Sequence, residues 1–381
     1  MSPAVPGMRV ALMIGAVGWR GSAASYAKIA QGLLERGHQS LLLTGAPRLT
    51  RRFEEEGLPV TQLPAKNTGP REVWALNRAL RGLGAQAIIV DTPRDLRLAG
   101  YATLPLKTAV VYRYNLNYRG ARGHLADRMY ARRISLLVFQ SHFIREDAYR
   151  QSPWLRRIPQ VRIPNGYDTV RYRPDPQAGL AFRAAYRIGP DRFVVLTPGK
   201  LARNKGHEVA FDALAGVVAR EHPPITYVVM GDGARETELR SLADRLSLPT
   251  IFTGLLSPAE VAAALNAADL VVHPSPRETF PNAVGEAMSC ARPVVAADGG
   301  GTGELVGRDG SAGLLVPPGD PDALGATVAA LLDDPGRRRL LGEGGRRRIE
   351  VEFPLHRMVD GYEAALGGAL RVHSSLPPLL R

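Results

Sequence analysis

The stretch RVALMIGAVGWRGSAASYAKIAQGLLERGHQSLLLT, residues 9–44, carries the pattern that decides the fold. Residues 9–15 read as a buried apolar strand. Gly15, Gly18 and Gly21 then form a tight loop, and a helix follows from about residue 22 to 36, with Tyr26, Ile29, Ala30, Leu33 and Leu34 on one face. Gly37 closes that helix, and a second strand at 39–44 follows at once. A strand, a crossover helix and a strand in so short a span make a βαβ unit, the building block of a parallel doubly wound sheet. The glycines are spaced G-x-x-G-x-x-G, not the G-x-G-x-x-G of a dinucleotide-binding turn, which argues against a nicotinamide-dependent dehydrogenase.

Outward from that unit, further strands are predicted at 87–90, 108–112 and 136–140. The pattern then restarts, with strands at 193–197, 226–230, 250–253, 270–273 and 293–297 and helices between them. Residues 175–191, rich in Pro, Gly and Arg, suit a linker with a short helix, and 353–370 reads as a terminal helix. The expected architecture is α/β, with a first domain over 1–174 completed by the C-terminal helix within 353–381 and a second over 175–352. Two Rossmann-like sheets of this kind are expected to face across a cleft, with ligands at the carboxyl edges of their strands.

Composition fits this reading. The 381 residues are 45% hydrophobic and 22% charged, enough for two ordinary cores. Residues 10–17 are apolar but follow a single arginine and show no small-residue cleavage site, so they read as the first strand and not as a secretory signal. No run approaches the roughly 18–20 apolar residues of a membrane span. The single cysteine, Cys290, excludes an internal disulfide framework and a cysteine zinc cluster, fits a reducing cytoplasm, and reads as a buried small hydrophobe. The net charge of +13 is uneven: residues 1–180 hold 27 Lys+Arg against 12 Asp+Glu, and residues 181–381 hold 22 against 24. Such an excess points to a polyanionic partner for the first half, a membrane with anionic lipids or a phosphorylated acceptor, with an ordinary basic surface as the competing reading. No zinc spacing or nucleic-acid module accompanies it, so no nucleic-acid partner is expected.

The stretch Glu278-Thr-Phe-Pro-Asn-Ala-Val-Gly-Glu286 places two carboxylates on a loop and on the helix it enters. Carboxylates accept hydrogen bonds from vicinal hydroxyls. Pro281 at the helix start, with the backbone N–H groups of Asn282, Ala283 and Val284, makes a place for a phosphate. The loop Gly199-Lys-Leu-Ala-Arg-Asn-Lys-Gly206 adds Lys200 and Lys205, two cations suited to a departing diphosphate. The triple glycine 299–301 is compatible with phosphate binding or with a strand-to-helix turn, and His38 and His273 read as structural histidines at strand edges.

Together these features resemble the retaining GT-B glycosyltransferases of family 4 over nearly the whole chain. The resemblance rests on Gly18-Trp-Arg-Gly-Ser, Arg36-Gly-His38, Ile163-Pro-Asn-Gly-Tyr-Asp168, Gly199-Lys-Leu with Lys205-Gly206, Met230-Gly-Asp-Gly233, Phe252-Thr-Gly254, the Glu-x7-Glu element with Ala287-Met288, and Pro293-Val294-Val295. It implies that Lys200 and Lys205 bind the diphosphate and that Glu286 takes the ribose hydroxyls. Glu278 is implied to contact the donor sugar, helped by Thr279 and by backbone groups of Phe280, Pro281 and Asn282. It also places Gly21 at the diphosphate and Leu255 at the nucleobase. Two departures stand out. Lysine occupies position 200, where the family commonly has arginine, and the histidine often found near the transferred sugar is absent, with Tyr114 or Arg113 in its place.

The reaction implied is transfer of a hexose-type sugar, with retention, from a nucleotide-sugar donor, UDP favoured over GDP, to a saccharide, glycolipid or small-molecule acceptor. It needs no cofactor and no metal. The basic residues Arg119, Arg122, Arg128, Arg132 and Arg133 are assigned to the acceptor or to an anionic membrane surface. That fits a cytoplasmic enzyme, peripheral at the inner face of the membrane, in cell-envelope, lipopolysaccharide or exopolysaccharide assembly, with secondary-metabolite glycosylation as the other pathway open to it. Two other readings are a non-catalytic sugar-nucleotide-binding subunit and a GT-B-like sugar-nucleotide epimerase. Measured transfer to any acceptor discriminates against the first, and the second needs a general base positioned at the sugar.

Overall fold

The computed structural model describes residues 7–16, 18, 21–64, 68–115, 133–218 and 224–375. The chain divides into two compact units. One runs up to Gly166 and resumes at Leu355, and the other is Tyr167–Pro354. The division thus falls before the expected 174/175, because Tyr167 and Tyr172 are buried in the second unit's core.

The first unit is a seven-stranded parallel sheet in the order β3-β2-β1-β4-β5-β6-β7. Its strands are β1 (Arg9–Ile14), β2 (Gln39–Thr44), β3 (Val60–Gln62), β4 (Ala87–Val90), β5 (Ala109–Arg113), β6 (Ile134–Phe139) and β7 (Gln160–Arg162). β4 and β5 are buried along their whole length, as a strand covered by helices on both faces must be. Helix Gly21–Glu35 packs one face through Tyr26, Ile29, Ala30 and Leu33. The C-terminal helix Leu355–Ser375 joins this unit's core through Met358, Tyr362 and Leu366. Arg36 pins it, reaching Asp360 at 2.5 Å and Glu363 at 2.6 Å. His38 Nδ1 accepts from Met8 N at 3.1 Å while its Nε2 faces Glu363 at 3.2 Å, a framework place for that ring.

The second unit is a six-stranded parallel sheet in the order β10-β9-β8-β11-β12-β13. The strands are β8 (Phe193–Pro198), β9 (Ile225–Met230), β10 (Thr250–Gly254), β11 (Leu270–His273), β12 (Val294–Ala297) and β13 (Leu314–Val316). Residues 175–191 are no linker. Asp175 caps helix Pro176–Ala185, whose Phe182 enters the core and whose Gly179 lies against the backbone of Asn266 and Ala267. Among the described residues, no helix is long and apolar enough to cross a membrane.

Candidate active site

In the second unit the chain winds one way from β8 and the other way from β11, and these two strands are neighbours. The loops that follow them leave the same edge side by side, where open α/β sheets bind ligands. The loop after β8 is tied to the turn after β9: Gly199 N donates to Met230 O and Leu201 N to Asp232 O, both at 2.8 Å. Lys200 is exposed, and its carbonyl lies 3.0 Å from Nε2 of His207, which is itself buried. Burial lowers the His207 pKa, so a neutral ring with its proton on Nε2 is the assignment that fits this contact. Lys205 ends a single 3₁₀ turn, and Gly206 follows with φ +67°. A β-carbon on Gly206 would stand 2.5 Å from Pro274 O, so glycine is what lets the two loops touch.

Glu278 is held from behind by the loop after β12. Gly301 N donates to Glu278 O at 2.8 Å, and a β-carbon on Gly300 would fall 2.0 Å from that oxygen. The triple glycine therefore serves close backbone approach. Lys205 Nζ donates to Glu278 Oε1 at 2.5 Å, with the two side chains 25% and 14% exposed. His273, the last residue of β11, brings Nε2 to 3.3 Å from the same oxygen, within ion-pair range though not aligned as a hydrogen bond. Burial alone would push the Glu278 carboxyl up. The His273 ring and the Lys205 ammonium outweigh it and hold the group at about 2.

Helix Asn282–Ser289 starts just beyond, after buried Pro281, and no side chain caps it. The N–H groups of Asn282, Ala283 and Val284 have no intrahelical acceptor in a first turn, and the positive end of the helix dipole lies there. Thr279 and Glu286 are half-buried, while Phe280 is enclosed, its ring 5.2 Å from that of Phe353. Tyr167, wholly buried, donates from its hydroxyl to Pro281 O at 3.2 Å. Leu255, assigned to the nucleobase, is 66% exposed after Gly254. A separate hollow of about 310 Å³ on the first unit, lined in part by Arg145, Tyr149 and Arg156, shares none of these residues.

The first unit has its own switch point between β1 and β4. Gly21 stands exposed there as the first residue of its helix. Arg113 and Tyr114, expected against the transferred sugar, are instead 5% and 1% exposed. Arg113 donates to Asn165 Oδ1 at 2.8 Å and lies over the Tyr26 ring, and Tyr114 packs between Tyr112 and Phe139. Both side chains are enclosed where aromatic rings fill this edge. Arg133 is half-buried and donates to Thr103 O at 3.2 Å, while Arg119, Arg122, Arg128 and Arg132 lie outside the described residues.

Near Arg113 sits the carboxyl of Asp91, which in turn neighbours that of Asp95, and the sequence singled out neither. Burial raises Asp91 to about 7, with Arg113 opposing and Asp95 adding, and burial raises Asp95 to about 6 against its bond to Thr92. Each keeps its proton in the folded chain up to a higher pH than in an unfolded chain, which releases it at about pH 4, so stability should fall as pH rises from 5 to 8. For Asp91 the loss is roughly 2–3 kcal/mol over that interval. Thermal unfolding of Asp91→Asn should show most of this slope removed, and a slope equal to the wild type's would refute the assignment.

Residues 180–348 match the family described as Glycosyl transferases group 1, and residues 20–166 match the Glycosyl transferase 4-like domain. Between them the two matches span more than half of the chain. The chain belongs to the group 1 glycosyltransferases of family 4. Among curated relatives, the D-inositol 3-phosphate glycosyltransferase of Segniliparus rotundus is 34% identical over 218 residues, covering 55% of this chain and 48% of that one. A GDP-mannose-dependent monoacylated alpha-(1-6)-phosphatidylinositol monomannoside mannosyltransferase of Corynebacterium glutamicum is 31% identical over 199 residues, covering 50% of this chain and 51% of that one. The chain spans about half the length of the curated relatives it matches.

The fold is shared with solved structures: a glycosyltransferase of Rickettsia africae (TM-score 0.83, 16% identity, 96% of this chain and 100% of that one) and HepE of Anabaena with UDP-glucose (0.81, 22%, 97% and 100%). In this group 1 glycosyltransferase Tyr167, His207 and His273 also border the candidate site, the first two unmarked among the candidates from the sequence and the last read there as structural. The signals were present in the tyrosine of the 163–168 motif and in a histidine at a strand end before Pro274-Ser275.

Proposed function

We propose that this protein transfers a hexose-type sugar from a nucleoside diphosphate to an acceptor with retention of configuration, without a cofactor. The observation that carries this reading is the Lys205–Glu278 pair beside the uncapped start of helix Asn282–Ser289, at the switch point of the second unit. Lys205, Lys200 and the helix start supply positive charge for a diphosphate, and Glu278 and Glu286 supply acceptors for sugar and ribose hydroxyls. The bond from the anomeric carbon to the β-phosphate oxygen breaks while the acceptor oxygen bonds on the same face. The departing phosphate takes the acceptor's proton, so no enzymic nucleophile is required. HepE was solved with UDP-glucose and the Corynebacterium relative is named GDP-mannose-dependent, so UDP and GDP donors are both to be tested.

Thermal unfolding in a panel of UDP-glucose, GDP-mannose, ADP-glucose and TDP-glucose tests the donor site. One donor should stabilise the wild type but neither Lys205→Ala nor Glu286→Ala. No shift with any of the four would overturn the reading.

The acceptor is assigned to the basic first half of the chain, as a phosphate-bearing saccharide or glycolipid at an anionic membrane face on the cytoplasmic side. Support comes from the charge excess of residues 1–180 and from relatives named for inositol phosphate and phosphatidylinositol substrates. Sedimentation with vesicles containing anionic lipid should be weakened by Arg128→Glu with Arg132→Glu, and wild-type protein left in the supernatant would refute it.

A further inference from the structure

Glu278 presents its two oxygens unequally. Oε1 takes Lys205 Nζ at 2.5 Å and faces His273 Nε2 at 3.3 Å, while among the described residues nothing is bonded to Oε2. The backbone of Glu278 is fixed by Gly299 and Gly301, so the side chain is the part left to be oriented. One oxygen is anchored and the other is offered.

Lys205 has a second claimant. On the reading above, its ammonium is drawn to the donor's diphosphate, whose charge is larger than that of one carboxylate. A carboxylate only 14% exposed that lost its single cationic partner would be left with poorly compensated charge and free to turn away. His273 prevents this because its position does not depend on the donor. It is the last residue of a wholly buried strand, its side chain is 6% exposed, and β11 is held between β8 and β12. Among the described residues, the titratable groups around the ring are Glu278, Lys205 and His207, and the last of these is committed to the carbonyl of Lys200.

Resting on the donor-site reading, we infer that His273 is a positioning residue for sugar recognition: its ring, with Nε2 3.3 Å from Oε1 of Glu278, turns into a hydrogen bond that keeps Oε1 in place when Lys205 turns to the diphosphate, so that Oε2 reads a hydroxyl of the transferred sugar. On this reading His273 acts through Glu278 alone, so its contribution is confined to the sugar. That separates it from a residue needed merely for folding, whose loss would weaken every ligand alike.

The test is calorimetric titration of wild type, His273→Leu and His273→Gln with UDP, GDP, ADP and TDP, and with UDP-glucose, GDP-mannose, ADP-glucose and TDP-glucose. His273→Leu should bind the cognate nucleoside diphosphate within about twofold of wild type, yet lose about 10- to 100-fold for its sugar conjugate, the scale of a hydrogen bond to a charged group. His273→Gln, whose amide nitrogen can take the place of Nε2, should recover most of that loss. Equal weakening toward both ligands, or a conjugate affinity unchanged in His273→Leu, would overturn the inference while leaving the donor site intact. Wild type that binds none of the eight would overturn both together.

Discussion

Lys205→Ala is expected to lower kcat/KM for the donor by about 100- to 1000-fold, the loss seen when one preorganised partner of a developing charge is removed. Two effects act together. The departing diphosphate loses a cation set on a short, glycine-closed turn, and Glu278 loses the partner that lies 2.5 Å from its Oε1. The exposed Lys200 makes a useful contrast: among the described residues it anchors no carboxylate, and it stands in water, where charge is screened, so Lys200→Ala should cost about tenfold. Release of nucleoside diphosphate from the donor named by the panel measures both variants without a known acceptor. Lys205→Ala within threefold of wild type would remove the lysine from the chemistry.

How much of this was legible beforehand follows from what each residue contacts. The central strands were read nearly to the residue because parallel strands buried on both faces are continuous apolar runs, as in Leu270–His273 and Ala87–Val90. The edge strands β3, β7 and β13 were not, since three residues such as Val-Thr-Gln or Gln-Val-Arg carry no period. Lys205 and Glu278 were legible from spacing and resemblance, but the bond between them joins residues 73 positions apart and had no local signature. The fates of Arg113 and Asp91 were hidden for the same reason: a buried arginine beside buried carboxyls is a product of packing between β4, β5 and the C-terminal helix, and nothing in Val110-Val-Tyr-Arg-Tyr-Asn115 announces it.

The helix start that would receive the phosphate depends on a contact made by a glycine. A β-carbon built on Gly285 falls 2.1 Å from Cζ of Tyr167, whose hydroxyl also bonds to Pro281 O. Gly285→Ala must therefore push the helix or the ring aside. Overpacking of this kind costs about 1–3 kcal/mol, although alanine's better helix propensity returns up to roughly 1 kcal/mol. Because the displaced part is the turn that follows Glu278, donor-induced stabilisation should shrink along with the unfolding temperature. Tyr167→Leu removes the ring atoms that collide, at its own cost in buried volume and in the bond to Pro281. The double variant should then lose less than the two single losses added together, by about 1–2 kcal/mol in a denaturant-unfolding cycle. Strict additivity would mean that the glycine is not there to admit the tyrosine. A coupling of the expected sign would make Tyr167, a residue of the 163–168 motif, the support on which the donor helix rests.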